Sequence, residues 1–140
     1  MGLLVTFFTA SIFFSFLCSI LEAVLLSVTP AYVATQDRDN TAISKKLSRF
    51  KEDIDRPLAA ILTLNTIAHT VGAIGVGAQA AVIFGSTEIV LFGFPVINAE
   101  SFIAGAMTLA ILIFSEVIPK TLGANNWEAL TPLSIRVINL

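Results

Sequence analysis

The 140-residue chain is 56% hydrophobic and 13% charged, with a mean hydropathy of +0.88, far from the balance of a water-soluble domain. Its net charge of −2 gives no reason to expect a nucleic-acid partner. Three segments, residues 3–28, 57–84 and about 99–122, each reach the roughly 20 mostly apolar residues that a bilayer-spanning helix needs. The expected fold is all-α and integral to the membrane, with three transmembrane helices in one domain over residues 1–140 and short amphipathic helices beside them.

The first span carries Ser11, Ser15, Ser19 and Glu22, spaced four, four and three residues apart. At about 100° per residue they fall within roughly 80° of arc, one stripe down the helix. Serines alone on such a stripe usually pack helices together and bond their own backbone carbonyls. A carboxylate on the same stripe favours a functional reading, because an ionisable group in a span is costly. The segment is not a secretory signal, since it lacks a basic start, runs too long and contains Glu22. Cys18, the single cysteine, can form no intramolecular disulfide and reads as packing.

Pro30 is expected to close the first span, because it removes a donor and restricts the residue before it. The juxtamembrane belt, about residues 31–56, holds six of the eight basic residues: Arg38, Lys45, Lys46, Arg49, Lys51 and Arg56. The remaining two, Lys120 and Arg136, follow in or after the third span, and residues 85–98 contain none. The positive-inside rule then puts the belt and the carboxyl terminus in the cytoplasm and the amino terminus outside. Within the belt, Leu47, Phe50 and Ile54 recur at helical spacing, as in an amphipathic helix on the membrane face or in a small solvated bundle.

Asp55-Arg56-Pro57 opens the second span with an acid and a proline suited to a first helical turn. Asn65, His69, Gly72 and Gln79 share one arc of it, and Gly72, Gly75 and Gly77 admit a close helix neighbour. A lone histidine is more often a satisfied core residue than a ligand. The Asn65 amide oxygen, in contrast, suits a hard cation. The connection over residues 85–98, with Phe92, Gly93, Phe94 and Pro95, reads as an outer-interface loop or a short re-entrant element.

The third span ends in Ser115-Glu116-Val117-Ile118-Pro119-Lys120-Thr121. Pro119 cannot donate to the Ser115 carbonyl, and a freed carbonyl beside a carboxylate is how membrane proteins build cation sites. The plainer alternative is a helix that ends at the cytoplasmic surface, with Glu116 reaching water beside Lys120. Hydroxyls, an amide oxygen, a carboxylate and a carbonyl are all oxygen donors, suited to Mg²⁺, Ca²⁺ or Na⁺ rather than zinc or copper. The sequence has no His-Glu-x-x-His, Gly-x-Ser-x-Gly or phosphate-binding glycine loop, so no enzyme is expected. The apolar pattern at Val137-Ile138-Asn139-Leu140 is that of a segment cut from something longer.

These residues resemble the transmembrane domain of the CorC and cyclin M-like (CNNM) magnesium transport proteins. The likeness rests on Ser15-x-x-x-Ser19-x-x-Glu22-Ala23, on Thr63-Leu64-Asn65-Thr66, and on Ser115-Glu116-Val117-Ile118-Pro119-Lys120-Thr121-Leu122-Gly123. It implies a homodimer of three-span protomers in the plasma (inner) membrane that exports Mg²⁺ in exchange for Na⁺. It nominates Ser15, Ser19, Asn65, Glu116 and the Ser115 backbone carbonyl as Mg²⁺ ligands, and Glu22 and His69 for the coupled ion or the gate. Many relatives have glycine where Ser115 stands, and relatives continue into cytoplasmic CBS domains that this sequence lacks. Two rivals to transport are a Mg²⁺-sensing scaffold that acts on another channel and an intramembrane hydrolase built on His69 and a serine. The hydrolase requires a serine within hydrogen-bond reach of His69.

Overall fold

A computed structural model describes residues 2–37, 42–85, 88–91 and 94–138. Three helices in it are long and apolar enough to cross a membrane, as the hydropathy pattern requires. Helix α1 (Gly2–Ser27) is followed by two short helices, α2 (Pro30–Asp37) and α3 (Ala42–Glu52), and then by the second span, α4 (Asp55–Phe84). The third span, Ala99–Asn125, is composite: α5 (Ala99–Leu112), a π-helical turn (Ile113–Val117) and α6 (Ile118–Asn125). Helix α7 (Trp127–Ile138) completes the described chain.

The spans present large apolar side chains outward, among them Phe13, Leu64, Ile74, Val82, Leu109 and Val117, the surface that a bilayer rather than water would cover. Helix α1 lies at the centre, in contact with α4, the π turn, α6 and α7. Its carboxyl-terminal half is held by two apolar clusters. Cys18, Leu21, Leu25 and Ile61 form one; Val24, Val28, Leu47 and Ile135 form the other. Leu47 and Phe50 thus turn the apolar side of α3 onto α1 and α7, a bundle contact rather than a bare membrane-surface one. Arg38 of the basic belt lies outside the described residues.

Pro30 does less to end the first span than to begin the next helix. Helix α1 stops at Ser27, Pro30 takes the first position of α2, and the Tyr32 backbone N–H donates to the Thr29 hydroxyl at 3.2 Å. Thr29 is therefore a side-chain cap followed by proline, the arrangement that best suits a helix start.

Two elements have no counterpart in the hydropathy pattern. Between the second and third spans, β1 (Glu88–Leu91) and β2 (Phe94–Asn98) form an antiparallel hairpin with a register irregularity between Ile89 and Val90, in place of a loop or re-entrant segment. Phe92 and Gly93 lie outside the described residues. Helix α7 runs through Pro132, which cannot donate to the Glu128 carbonyl. The Tyr32 hydroxyl supplies a long contact of 3.5 Å to that same carbonyl, and its ring meets Trp127 edge-on at 4.9 Å.

The third span also departs from a simple helix. Ile111, Ser115, Pro119 and Gly123 all face inward, at a strict spacing of four. In a pure α-helix each step of four drifts by about 40°, so such a stripe would wind off the interface. The π turn absorbs the drift: the Ile118 N–H reaches back five residues to the Ile113 carbonyl. Pro119 then sits in the first turn of α6, where its missing N–H costs least.

Candidate ion site in the membrane seam

The serine stripe of α1 faces α4, and two of its hydroxyls bond across the helix interface rather than to their own backbone. Ser11 Oγ donates to the Ala68 carbonyl at 3.0 Å, a contact made possible by Gly72, where any Cβ would collide with Ser11. One turn on, Ser15 Oγ lies 2.5 Å from Asn65 Oδ1 and 2.7 Å from His69 Nε2, and Ser15 is fully buried. Exposed Thr63 and Thr66, on either side of Asn65, bond backward to the Ala59 and Leu62 carbonyls, as membrane hydroxyls ordinarily do. The motif residue that crosses the interface is Asn65.

His69 connects this pair to the third span. Its Nε2 lies 3.8 Å from Glu116 Oε2. Lys120 Nζ lies 3.1 Å from Glu116 Oε1 and 3.3 Å from Glu22 Oε2, which returns the chain of contacts to α1. The structure therefore joins Ser15, Asn65, His69, Glu116, Lys120 and Glu22 into one seam threading all three spans. A cleft of about 310 Å³ between α4 and the third span reaches it at His69 and Glu116.

Two of the nominated residues stand beside this seam without a bond into it. Ser19 is fully buried one turn beyond Ser15, and its hydroxyl finds no hydrogen-bond partner among the described residues. Ser115 is fully buried at the π turn, and its hydroxyl donates to its own Ile111 carbonyl at 2.5 Å. Glu22 Oε2 likewise has no hydrogen bond among the described residues, and only the Lys120 charge faces it. Unmet buried polar groups are rare, and water, an ion or a functional role is the usual account of them.

Position along each helix bears on the choice between a membrane site and a surface one. Ser15 is 12 residues from the end of α1 and Asn65 is 10 from the start of α4, which puts both about 15–18 Å along their helices at 1.5 Å per residue. Because the third span continues to Asn125, Glu116 stands nine residues inside it, about 14 Å from its end. Counted from these helix ends, all three lie about as deep as half the roughly 30 Å thickness of a hydrocarbon core. The Glu116 side chain is 34% exposed, is held by Lys120 and is faced by His69.

Lys120 was visible in the sequence as a basic residue near the end of the third span, but not as a member of the site. The signal that could have found it is its isolation, since past Arg56 no other lysine or arginine lies within the three spans. Among the described residues no group of three or more His, Cys, Asp or Glu could hold a metal, so a cation here would depend on neutral oxygens around one carboxylate. Such a donor set fits a hard ion of the Mg²⁺ or Na⁺ class.

The chain matches a family model, the cyclin M transmembrane N-terminal domain, over residues 6–140. The chain belongs to the cyclin M transmembrane domain family. This cyclin M domain is also similar to the UPF0053 protein sll1254 of Synechocystis sp., at 32% identity over 127 residues, which cover 89% of the chain and 34% of that protein. It thus spans about a third of the length of the curated relative. No solved structure matches the domain. Membership, with the three candidate spans, makes the chain a membrane domain of the cyclin M family.

Proposed function

We propose that the domain transports Mg²⁺, with the ion held at mid-membrane by the Ser15 hydroxyl, the Asn65 amide oxygen and the Glu116 carboxylate, and with Ser19 and the Ser115 carbonyl completing its shell. The observation that carries this reading is the 2.5 Å approach of Ser15 Oγ to Asn65 Oδ1 between two candidate membrane spans, with Glu116 brought near through His69. Two oxygens that converge in this way give a hard cation part of its shell once it displaces the hydrogen bond between them. Mg²⁺ gives up its water reluctantly, and a preorganised cluster of oxygens offsets that cost. The resemblance to magnesium transporters supports export driven by Na⁺ entry, a homodimer in the plasma membrane with the basic belt in the cytoplasm, and CBS domains elsewhere in the full-length protein.

The contact of Ser15 with His69 favours a second reading, an intramembrane hydrolase, because a serine does come within reach. The pair is poorly set for it. Asn65 Oδ1 can only accept, so the Ser15 proton goes there and the histidine Nε2–H donates to Ser15, the wrong tautomer for a general base. The nearest carboxylate, Glu116, also faces Nε2 instead of orienting the ring from Nδ1. Transport accounts for the same contact more simply, since Nε2 fixes the serine oxygen toward an incoming ion.

A Mg²⁺-sensing scaffold would bind the ion equally well, so flux separates it from a transporter. Purified domain in liposomes is expected to move Mg²⁺, followed with an enclosed fluorescent indicator, and to do so faster with an opposing Na⁺ gradient. Saturable binding without flux under either gradient would favour the scaffold.

A further inference from the structure

Glu116 Oε1, one of the oxygens a transported ion would use, is already occupied by an ammonium. Lys120 Nζ hydrogen-bonds it at 3.1 Å from one turn along the same helix. The same nitrogen lies 3.3 Å from Glu22 Oε2 on α1. Lys120 therefore sits between two carboxylates, hydrogen-bonded to Glu116 and within ion-pair distance of Glu22. A flexible four-carbon stem lets it favour either without leaving the pair.

Formal charge shows what this arrangement does to an incoming ion. Two carboxylates and one ammonium sum to −1, so a bound divalent cation brings the seam to +1. With no ammonium the carboxylates alone would neutralise a divalent ion, and in a medium of low dielectric it would be held tightly. An ion held that tightly does not leave.

We propose that Lys120 is a tethered counter-cation that competes with the transported divalent ion for Glu116, and that Glu22 is the carboxylate to which it withdraws when the ion binds. This rests on the reading of Glu116 as an ion ligand. In the ion-free state the ammonium neutralises Glu116 and stands in for the cargo. On arrival of the ion it releases Glu116 Oε1 and keeps its contact with Glu22 Oε2, an atom with no hydrogen bond of its own among the described residues. Its return to Glu116 displaces the ion toward release. Glu22 thereby acquires a role distinct from direct ligation: it lowers the cost of moving the lysine.

Mg²⁺ titration of purified protein by calorimetry, with flux in liposomes, tests this through variants of opposite sign. Lys120→Met keeps an unbranched side chain one atom shorter and removes the competitor, so Mg²⁺ is expected to bind about tenfold tighter while flux falls. Glu22→Gln removes the resting place and leaves Lys120 on Glu116, so binding is expected to weaken about tenfold. In the double variant Glu22→Gln should add nothing, because no lysine remains to be parked. Should Lys120→Met fail to fold, Lys120→Gln takes its place in the same cycle. Weaker or unchanged binding in the lysine variant, or an equal effect of Glu22→Gln with and without the lysine, overturns the proposal. Those failures differ from failure of the ion-site reading, in which Glu116→Gln binds Mg²⁺ as well as the unaltered protein and no competition for Glu116 exists.

Discussion

Glu116→Gln is expected to weaken Mg²⁺ binding about 100-fold and to abolish flux, with the protein still folded. Glutamine keeps the shape of the side chain and one oxygen, so the change isolates the charge. Truncating one partner of a buried, hydrogen-bonded charge pair costs about 2–5 kcal/mol of binding. The Glu116 side chain is 34% exposed, which puts the expected loss in the lower half of that range, about 3 kcal/mol or two decades in affinity. The other nominated ligands are neutral and cannot make up the deficit. Calorimetric titration with Mg²⁺ checks the affinity, and near-normal binding by the variant would remove Glu116 from the site.

Gly72→Ala is expected to cost about 1–3 kcal/mol of stability and to disrupt the seam, although it adds a single methyl group. The Cβ of any residue at position 72 collides with the Ser11 side chain, at the point where Ser11 bonds the Ala68 carbonyl. Relief requires α1 and α4 to separate, and the Ser15 to Asn65 contact lies one turn away on the same interface. Gly77→Ala is the matched control, because a Cβ there meets nothing within 4 Å. In a helix that change is neutral or favourable by about 1 kcal/mol. Thermal unfolding in detergent and Mg²⁺ titration should separate the two alanine variants. Equal behaviour would mean that close packing at Gly72 does not set the seam.

The spans and most of the seam were legible in the sequence because membrane helices obey two simple constraints. Length and hydropathy marked the spans, and the four, four, three spacing from Ser11 to Glu22 forced those residues onto one face. The glycines beside Asn65 and His69 announced a close helix neighbour, and the structure shows that the neighbour is the serine face of α1. Less legible were features that depend on contacts between helices. Nothing in local spacing puts Lys120 against Glu22, since that contact needs α6 to pack on α1, where Gly123 brings the backbone close to Ala23 and Ile20. Pro119 suggested a freed carbonyl, but the chain accommodates the proline with a π turn that keeps the inward stripe in register. Helix α7 escaped notice because Pro132 argues locally against a helix, and the compensating Tyr32 hydroxyl comes from α2, 96 residues away in the chain.

The central claim is that the oxygens of Ser15, Asn65 and Glu116 hold the transported ion, and a high-resolution structure determined with Mg²⁺ tests it most directly. The account predicts an ion at mid-membrane with Ser15 Oγ, Asn65 Oδ1 and a Glu116 carboxylate oxygen each about 2.0–2.1 Å away, the distance Mg²⁺ demands. An ion bound elsewhere, with the Ser15 to Asn65 hydrogen bond unchanged and Lys120 still on Glu116, would contradict it.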